Sequence, residues 1–396
     1  MKILYLHQYF KTPSEPGGTR SYWIAKELIK NGHEVTMITA KALQNKNREE
    51  KNIDGIKVIY LNEGYDQKMS VFIRLKTFLK FVWKSTYEAN KYKDMDLVIA
   101  TSTPLTIGIP ALFLKWFKKT PFLFEVRDLW PEVPIQMGAI KNSLLKKLAR
   151  LFEKTIYKNA LHVIALSPGM QEGVLRYIPK EKTSMIPNMA KKDEFWPRKK
   201  NVQLEKNLGL KTSSFKVIHF GALGLANGAY TILESALILK NDNSVEFLFV
   251  GGGATEEELI NICKKNQLDN VRFLGRFPMD ELSEIVNLCD VSIISFKDLP
   301  ILYTNSPNKL FDSLSAGKPI IVNSAGWTKD IAEKYNCGYY VNPNNPEELA
   351  EKIKFSQKNP EVMIQMSSNS RKLAEEKYDK SILSKKFVEV VNSLNI

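Results

Sequence analysis

A chain of 396 residues, 44% hydrophobic and 25% charged, has the composition of an ordinary globular cytosolic protein and enough length for two separate cores. Its three cysteines, Cys263, Cys289 and Cys337, follow no CxxC or Cys/His spacing. That argues against a zinc module or a disulfide framework, and each is expected as a small buried apolar residue. The net charge of +14 is unevenly spread: residues 1–200 hold 35 Lys and Arg against 19 Asp and Glu, and residues 201–396 hold 22 against 24. A basic first half attracts an anionic membrane, nucleic acid or another polyanion.

In chain order, short apolar β-rich runs are predicted at Ile3–Leu6, Val35–Thr39, Val58–Leu61, Leu97–Ala100, Phe122–Glu125, Val163–Leu166 and Ser184–Ile186. Between them, helical spacing marks Ser21–Lys30, Val71–Lys91, Leu105–Phe117 and Ser143–Tyr157. Fully apolar strands separated by helices indicate βαβ units and a parallel sheet covered on both faces. No segment has a signal-peptide pattern. The longest apolar run, Thr106–Leu114, falls far short of the roughly 20 residues of a membrane span, so a cytoplasmic protein is expected.

The stretch Pro187–Lys200 is polar, bounded by prolines and aperiodic, and is predicted as a linker. Beyond it the grammar repeats. Strands are predicted at Lys216–Phe220, Glu246–Val250, Arg272–Leu274, Val291–Ile294, Ile320–Val322 and Tyr339–Val341. Helices are predicted at Tyr230–Lys240, Glu256–Lys265, Asp280–Leu288, Lys309–Leu314, Pro346–Phe355, Val362–Lys377 and Ser381–Leu394. The expected architecture is α/β, with Rossmann-like domains at 1–190 and 201–378 facing a central cleft. Residues 379–396 form a helix returning towards the first domain. Open α/β sheets bind ligands at the carboxyl ends of their strands.

Three segments carry candidate chemistry. Gly17-Gly18-Thr19-Arg20 lies between the first strand and first helix, where glycines let the backbone approach a ligand and the helix offers free N–H groups; a plain tight turn is the alternative. The absence of G-x-G-x-x-G there argues against a dinucleotide cofactor. Glu125, Arg127 and Asp128 cluster just past an apolar strand, either at a ligand or as a salt-bridged loop. In Tyr303–Pro319, Ser306 is predicted as an N-cap, Pro307 as the first helical residue and Gly317 as the stop. A helix N-terminus bears about half a positive charge, so Lys309 in its first turn makes sense if an anion binds there. Asp312 lies one turn on, within reach of the same ligand or of Lys309 itself.

The run Ser306-Pro307-Asn308-Lys309-Leu310-Phe311-Asp312 with Ala316-Gly317-Lys318-Pro319 resembles the donor-nucleotide motif of family 4 glycosyltransferases. Leu6–Phe10 through Gly17–Arg20, with Asn31–Val35, resembles a branch that builds bacterial capsule and O-antigen, including N-acetylfucosamine transferases. Ile186-Pro187-Asn188, Phe220-Gly221-Ala222-Leu223-Gly224 and Gly251-Gly252-Gly253 fall in the family's order. The resemblance implies a GT-B fold and retaining, metal-independent transfer from a nucleotide sugar, with no cofactor. It puts Gly17 and Gly18 at the donor diphosphate and Asp128 beside the donor sugar. Gly221, Leu223 and Gly224 form the donor-domain loop, and Arg276 and Phe277 frame the base. Thr304, Asn305, Ser306, Asn308 and Lys309 meet the sugar and diphosphate, and Asp312 holds the ribose. Asp128, Lys309 and Gly18 are the expected catalytic positions, with Arg20, Glu125 and Arg127 as further substrate contacts.

Thr304 stands where the family's E-x7-E motif has its first Glu, and the Gly224–Gly228 loop lacks the usual Arg and Lys, so Lys309 bears more of the diphosphate charge. Ile73–Lys84 and Leu144–Phe152 mix cations with large apolar residues. Such helices lie on anionic lipid or pack on the sheet. The expected partners are a UDP-sugar, a polyprenyl-diphosphate-linked saccharide and the anionic inner face of the plasma membrane, with no nucleic acid. A nucleotide-sugar epimerase or hydrolase of the same shape, and a non-catalytic polyanion binder, are the competing readings.

Overall fold

The computed structural model describes residues 1–15, 17–64, 69 and 71–396, without the side chains of residues 71, 72, 74 and 75. It divides into two compact units. One comprises Met1–Pro13, Gly17–Pro187 and Ser381–Ile396; the other comprises Ser14–Pro16 and Asn188–Lys380.

The first unit is built on β1 (Lys2–Leu6), β2 (Glu34–Lys41), β3 (Arg48–Ile53), β4 (Ile56–Asn62), β5 (Leu97–Thr101), β6 (Phe122–Val126), β7 (His162–Ala165) and β8 (Thr183–Met185). Their order across the sheet is β3-β4-β2-β1-β5-β6-β7-β8, and all pairs are parallel except β3 with β4. The central strands are apolar on both faces because helices cover both. Ile3, Leu4, Tyr5 and Leu6 are fully buried, as are Leu97–Ala100 and Phe122–Phe124. Strand β3, Arg-Glu-Glu-Lys-Asn-Ile, has no apolar period and is not predicted. It exists because Asp54 and Gly55 both take positive φ (52° and 90°) and close a two-residue hairpin onto β4.

The second unit carries β9 (Phe215–Ala222), β10 (Val245–Gly252), β11 (Val271–Gly275), β12 (Val291–Ile294), β13 (Ile320–Val322) and β14 (Gly338–Tyr340). All are parallel, in the order β11-β10-β9-β12-β13-β14. One core layer includes Val217, Phe247, Phe249 and Ile293; the opposite layer includes Ile218, Phe220, Leu248 and Ile285. The three cysteines are buried.

The Pro187–Lys200 stretch differs from a loose linker. Phe195 is fully buried in the second layer, and Arg371 Nη1 donates to the carbonyls of Lys192 (3.2 Å) and Phe195 (3.1 Å). One large apolar side chain and one long-range arginine are enough to dock a segment without periodicity. The helix Lys380–Asn392 buries Leu383, Phe387, Val388 and Val391, and His33 and Asn392 are joined by a 2.9 Å hydrogen bond within the first unit.

Candidate functional site

Two polar clusters stand at the carboxyl ends of strands, one in each unit. In the first, β1 ends at Leu6 and delivers His7, whose side chain is buried. His7 Nδ1 lies 2.7 Å from Ser21 Oγ, and Arg127 Nη1 lies 3.2 Å from His7 Nε2. A guanidinium only donates, so Nε2 accepts and the ring proton sits on Nδ1. Burial, reinforced by Arg127, holds the His7 pKa well below its ordinary value, so this imidazole is neutral at physiological pH. Arg127 therefore makes neither of the salt bridges that its neighbours suggest.

Asp128 accepts a 2.7 Å hydrogen bond from Thr103 Oγ1, and the Arg127 amide donates to Ser102 Oγ at 3.0 Å. Burial raises the Asp128 pKa, while the Thr103 hydrogen bond and the Arg127 charge oppose the rise. His7, Arg127 and Asp128 thus lie together at the end of the sheet, His7 buried and the other two partly exposed.

Arg20 and Glu125 have a different place from the one expected. Arg20 Nε donates to Glu125 Oε1 at 2.8 Å, and their side chains are 1% and 0% exposed. Arg20 Nη2 donates to Ile186 O at 3.0 Å and Nη1 to Pro187 O; Thr101 Oγ1 donates to Glu125 Oε2 at 3.2 Å. The pair fastens helix Arg20–Lys30 to β6 and to the backbone of Ile186 and Pro187. With each polar end turned inward, neither side chain is available to a substrate. Gly17 takes φ +132°, a conformation that a side chain would strain, and Gly17 is exposed while Gly18 is partly so.

In the second unit, β9 ends at Gly221–Ala222 and β10 at Gly251–Gly252. A Cβ on Gly251 would stand 1.8 Å from Gly221 O, and one on Gly253 would stand 2.3 Å from Leu223 O. These glycines are required for the two strand ends to touch. Leu223, expected at the donor, has a structural place instead: its side chain is buried in the core, its amide donates to Gly252 O at 3.1 Å and its carbonyl accepts from Thr255. Gly224 N donates to Asn227 Oδ1 at 3.2 Å, so the turn is closed by its own asparagine. Gly221 remains open, 3.7 Å from Lys309 Cε when given a Cβ. Arg276 is exposed and lies over Gly252 beside Glu256, while Phe277 is partly buried against the core.

The helix predicted from Ser306 begins at Asn308 and runs to Ser315, with Pro307 before it and no side-chain cap. Ser306 Oγ instead accepts from Asn188 N at 3.2 Å, and Ser306 O accepts from Asn188 Nδ2 at 2.5 Å. Because the helix starts at Asn308, the N-cap position falls on Pro307, which has no side-chain acceptor, and Ser306 stands one residue too early to cap it. Thr304 Oγ1 donates to Ile301 O at 2.7 Å. Asn305 O accepts from Trp327 Nε1 at 2.6 Å, while Asn305 Oδ1 is buried without a hydrogen-bond partner among the described residues.

Lys309 and Asp312 are both buried, and they do not pair. Asp312 meets Lys191 at 3.0 Å, and burial raises its pKa against that opposing charge. Lys309 Nζ lies 3.2 Å from His219 Nε2. Among the described residues no carboxylate offsets the burial of this ammonium, and its pKa falls to about 7. Lys309 is thus a buried amine beneath the exposed Gly221, with a neutral histidine as its hydrogen-bond partner.

His219, Lys191, His7 and Thr103 are not among the predicted site residues. A histidine inside the apolar run Lys216–Phe220 is the one signal that local reading offers; the partners of the others come from distant segments.

On the first unit's surface, Ile73, Leu79, Trp83 and Tyr87 of helix Val71–Ala89 are exposed, as are Trp116, Phe117, Leu144, Leu145, Leu148 and Leu151. Helix Ser143–Asn159 buries only Glu153, Ile156 and Tyr157 fully, so its leucine stripe is not packed on the sheet. Arg74 and Leu75 of the predicted basic segment lie outside the described side chains. No helix among the described residues is long and apolar enough to cross a membrane.

Two family models match the chain: "Glycosyl transferase 4-like domain" over residues 17–189 and "Glycosyl transferases group 1" over residues 202–373. Among curated relatives, the probable glycosyltransferase WbjE of Pseudomonas aeruginosa is 24% identical over 267 residues, 65% of each chain. The alpha-galactosylglucosyldiacylglycerol synthase of Streptococcus pneumoniae is 24% identical over 248 residues, 60% of this chain and 63% of the relative. The chain thus spans just under two thirds of the length of these relatives. Sucrose-phosphate synthase from Thermosynechococcus elongatus superposes with a TM-score of 0.80 at 19% identity, over 99% of this chain and 98% of that one. Anabaena Alr3699/HepE, solved in complex with UDP and glucose, superposes with a TM-score of 0.73 at 19% identity over 100% of both chains.

Proposed function

Because the chain belongs to the glycosyltransferases of GT-B fold, we propose that it moves a sugar from a UDP-sugar to a lipid-linked saccharide, with retention of configuration and without a metal. The observation that carries this reading is Lys309, an ammonium buried under Gly221 with no facing carboxylate among the described residues. Its natural counter-charge is a diphosphate. Fixed donors placed where charge develops on a leaving group supply most of the barrier lowering in many such reactions. As the bond from the sugar C1 to the diphosphate oxygen breaks, Lys309 stabilises the oxygen left behind. The acceptor hydroxyl forms its bond to C1 on the same face and gives its proton to that oxygen. A complex with UDP and glucose in HepE supports a uridine donor.

The acceptor is a polyprenyl-diphosphate-linked saccharide of a bacterial surface polysaccharide, and the sugar is an N-acetylated hexosamine or deoxyhexosamine. The exposed apolar residues of the first unit, interleaved with its lysines, suit an anionic lipid surface on the inner face of the plasma membrane. The test is a thermal-shift screen over nucleotide sugars followed by a transfer assay with Lys309→Ala. We expect a UDP-sugar to raise the melting point of the wild type and Lys309→Ala to lose roughly 100- to 1,000-fold in turnover. A Lys309→Ala enzyme of wild-type activity would remove the diphosphate argument.

A further inference from the structure

His219 lies within β9, in a strand whose other members are mostly apolar, and is 1% exposed. Its ring connects two parts of the second unit that sequence separates widely. On one side Nε2 is 3.2 Å from Lys309 Nζ; on the other, Nδ1 is 3.3 Å from Ser295 Oγ. Ser295 donates its only hydroxyl proton to Asn227 O at 2.6 Å. Its oxygen is then left to accept, so the ring proton sits on Nδ1 and Nε2 is a bare acceptor for Lys309. Asn227 in turn closes the Gly224–Gly228 turn through its side chain. The relay therefore runs from the glycine turn through Ser295 and His219 to the ammonium.

We propose that His219, oriented by Ser295, is a positioning residue that holds Lys309 for the donor diphosphate and makes donor binding take up a proton. This rests on the diphosphate reading of Lys309 given above. The groups facing the pair are few. Burial and the Lys309 charge keep His219 neutral, while the backbone groups of Ile293 and Ala222 oppose that shift. Asp312, one turn along, is engaged by Lys191. Lys309 has no anionic neighbour among the described residues, and burial brings its pKa to about 7, so much of it is neutral in the empty protein near pH 8. A bound diphosphate raises that pKa again, because the opposite charge favours the ammonium. A group whose pKa is raised by binding contributes affinity below its free pKa and loses it as pH rises. In the absence of a basic residue in the glycine turn, the acceptor on Nε2 keeps the amine aimed and favours its charged form.

The experiment is isothermal titration of the full chain with UDP, between pH 7.5 and 9, in buffers of different ionisation enthalpy. Over that range a terminal phosphate, with its second pKa near about 6, is already ionised. We expect uptake of nearly one proton per UDP at pH 8, and affinity falling by roughly tenfold per pH unit while free Lys309 is neutral and bound Lys309 charged. Lys309→Met abolishes the uptake. His219→Phe, which removes the acceptor but keeps a ring near Phe249, shifts the affinity profile to lower pH; His219→Gln, which restores an acceptor, moves it back. Ser295→Ala shifts it the same way by less, and supplies the test if His219→Phe does not fold. UDP binding without proton uptake, or an unchanged profile in folded His219→Phe or Ser295→Ala, overturns the proposal while leaving the donor site standing. A wild-type chain that binds no UDP at any pH overturns the donor reading and this inference with it.

Discussion

Replacing Glu125 by Ala removes one half of a pair in which both side chains are almost wholly shut from water. Arg20 keeps its carbonyl partners Ile186 and Pro187 but loses the only carboxylate in contact with it among the described residues. Breaking a buried pair from one side costs about 3–5 kcal/mol, because an uncompensated charge stays behind. In a unit of this size about 1 kcal/mol corresponds to roughly 2–4 °C, so the first unit's transition should fall by about 6–20 °C. Differential scanning calorimetry of the full chain measures it, with the partly exposed carboxylate variant Glu27→Ala as control. The double variant Arg20→Met/Glu125→Leu is expected to recover most of the loss, since well-packed apolar replacements of buried pairs are often near neutral. An unchanged melting point in Glu125→Ala, combined with lost transfer activity, would refute the structural assignment and return both residues to the substrate.

Two further outcomes test other parts of the molecule. Lys191→Met leaves Asp312 buried without its counter-charge, and burial already raises that carboxyl's pKa. A raised carboxyl pKa favours the folded state only at low pH. The variant's stability deficit should therefore be small near pH 4 and grow as pH rises towards 7, as measured by urea unfolding. Leu148→Ser/Leu151→Ser removes two exposed leucines from the Ser143–Asn159 helix, and should weaken sedimentation with anionic vesicles at low salt several-fold without lowering the melting point. Vesicle binding equal to wild type would show that this stripe is not the lipid contact.

The elements themselves are legible in the chain because their signals are local. Apolar runs of strand length alternating with helical spacing mark two parallel sheets, and the helix at Asn308–Ser315 lies within one or two residues of its predicted span. Its predicted N-cap is not formed because the helix starts at Asn308 and leaves Pro307 at the cap position, while Ser306 meets Asn188, a contact invisible at a distance of 118 residues. The β3–β4 hairpin has no hydrophobic period to reveal it, although Asp54-Gly55 carries a turn signal of its own.

Residue types, their order and the positions of the glycine turns follow from the chain alone, since backbone preference and apolar period act over a few residues. Which charged side chains pair with which was decided by the fold. Arg20 meets Glu125, and Asp312 meets Lys191, leaving Lys309 beside a neutral histidine. The reason is that an ion's partner and its desolvation depend on what parallel strands bring together in space, and side chains far apart along the chain carry no mark of that meeting.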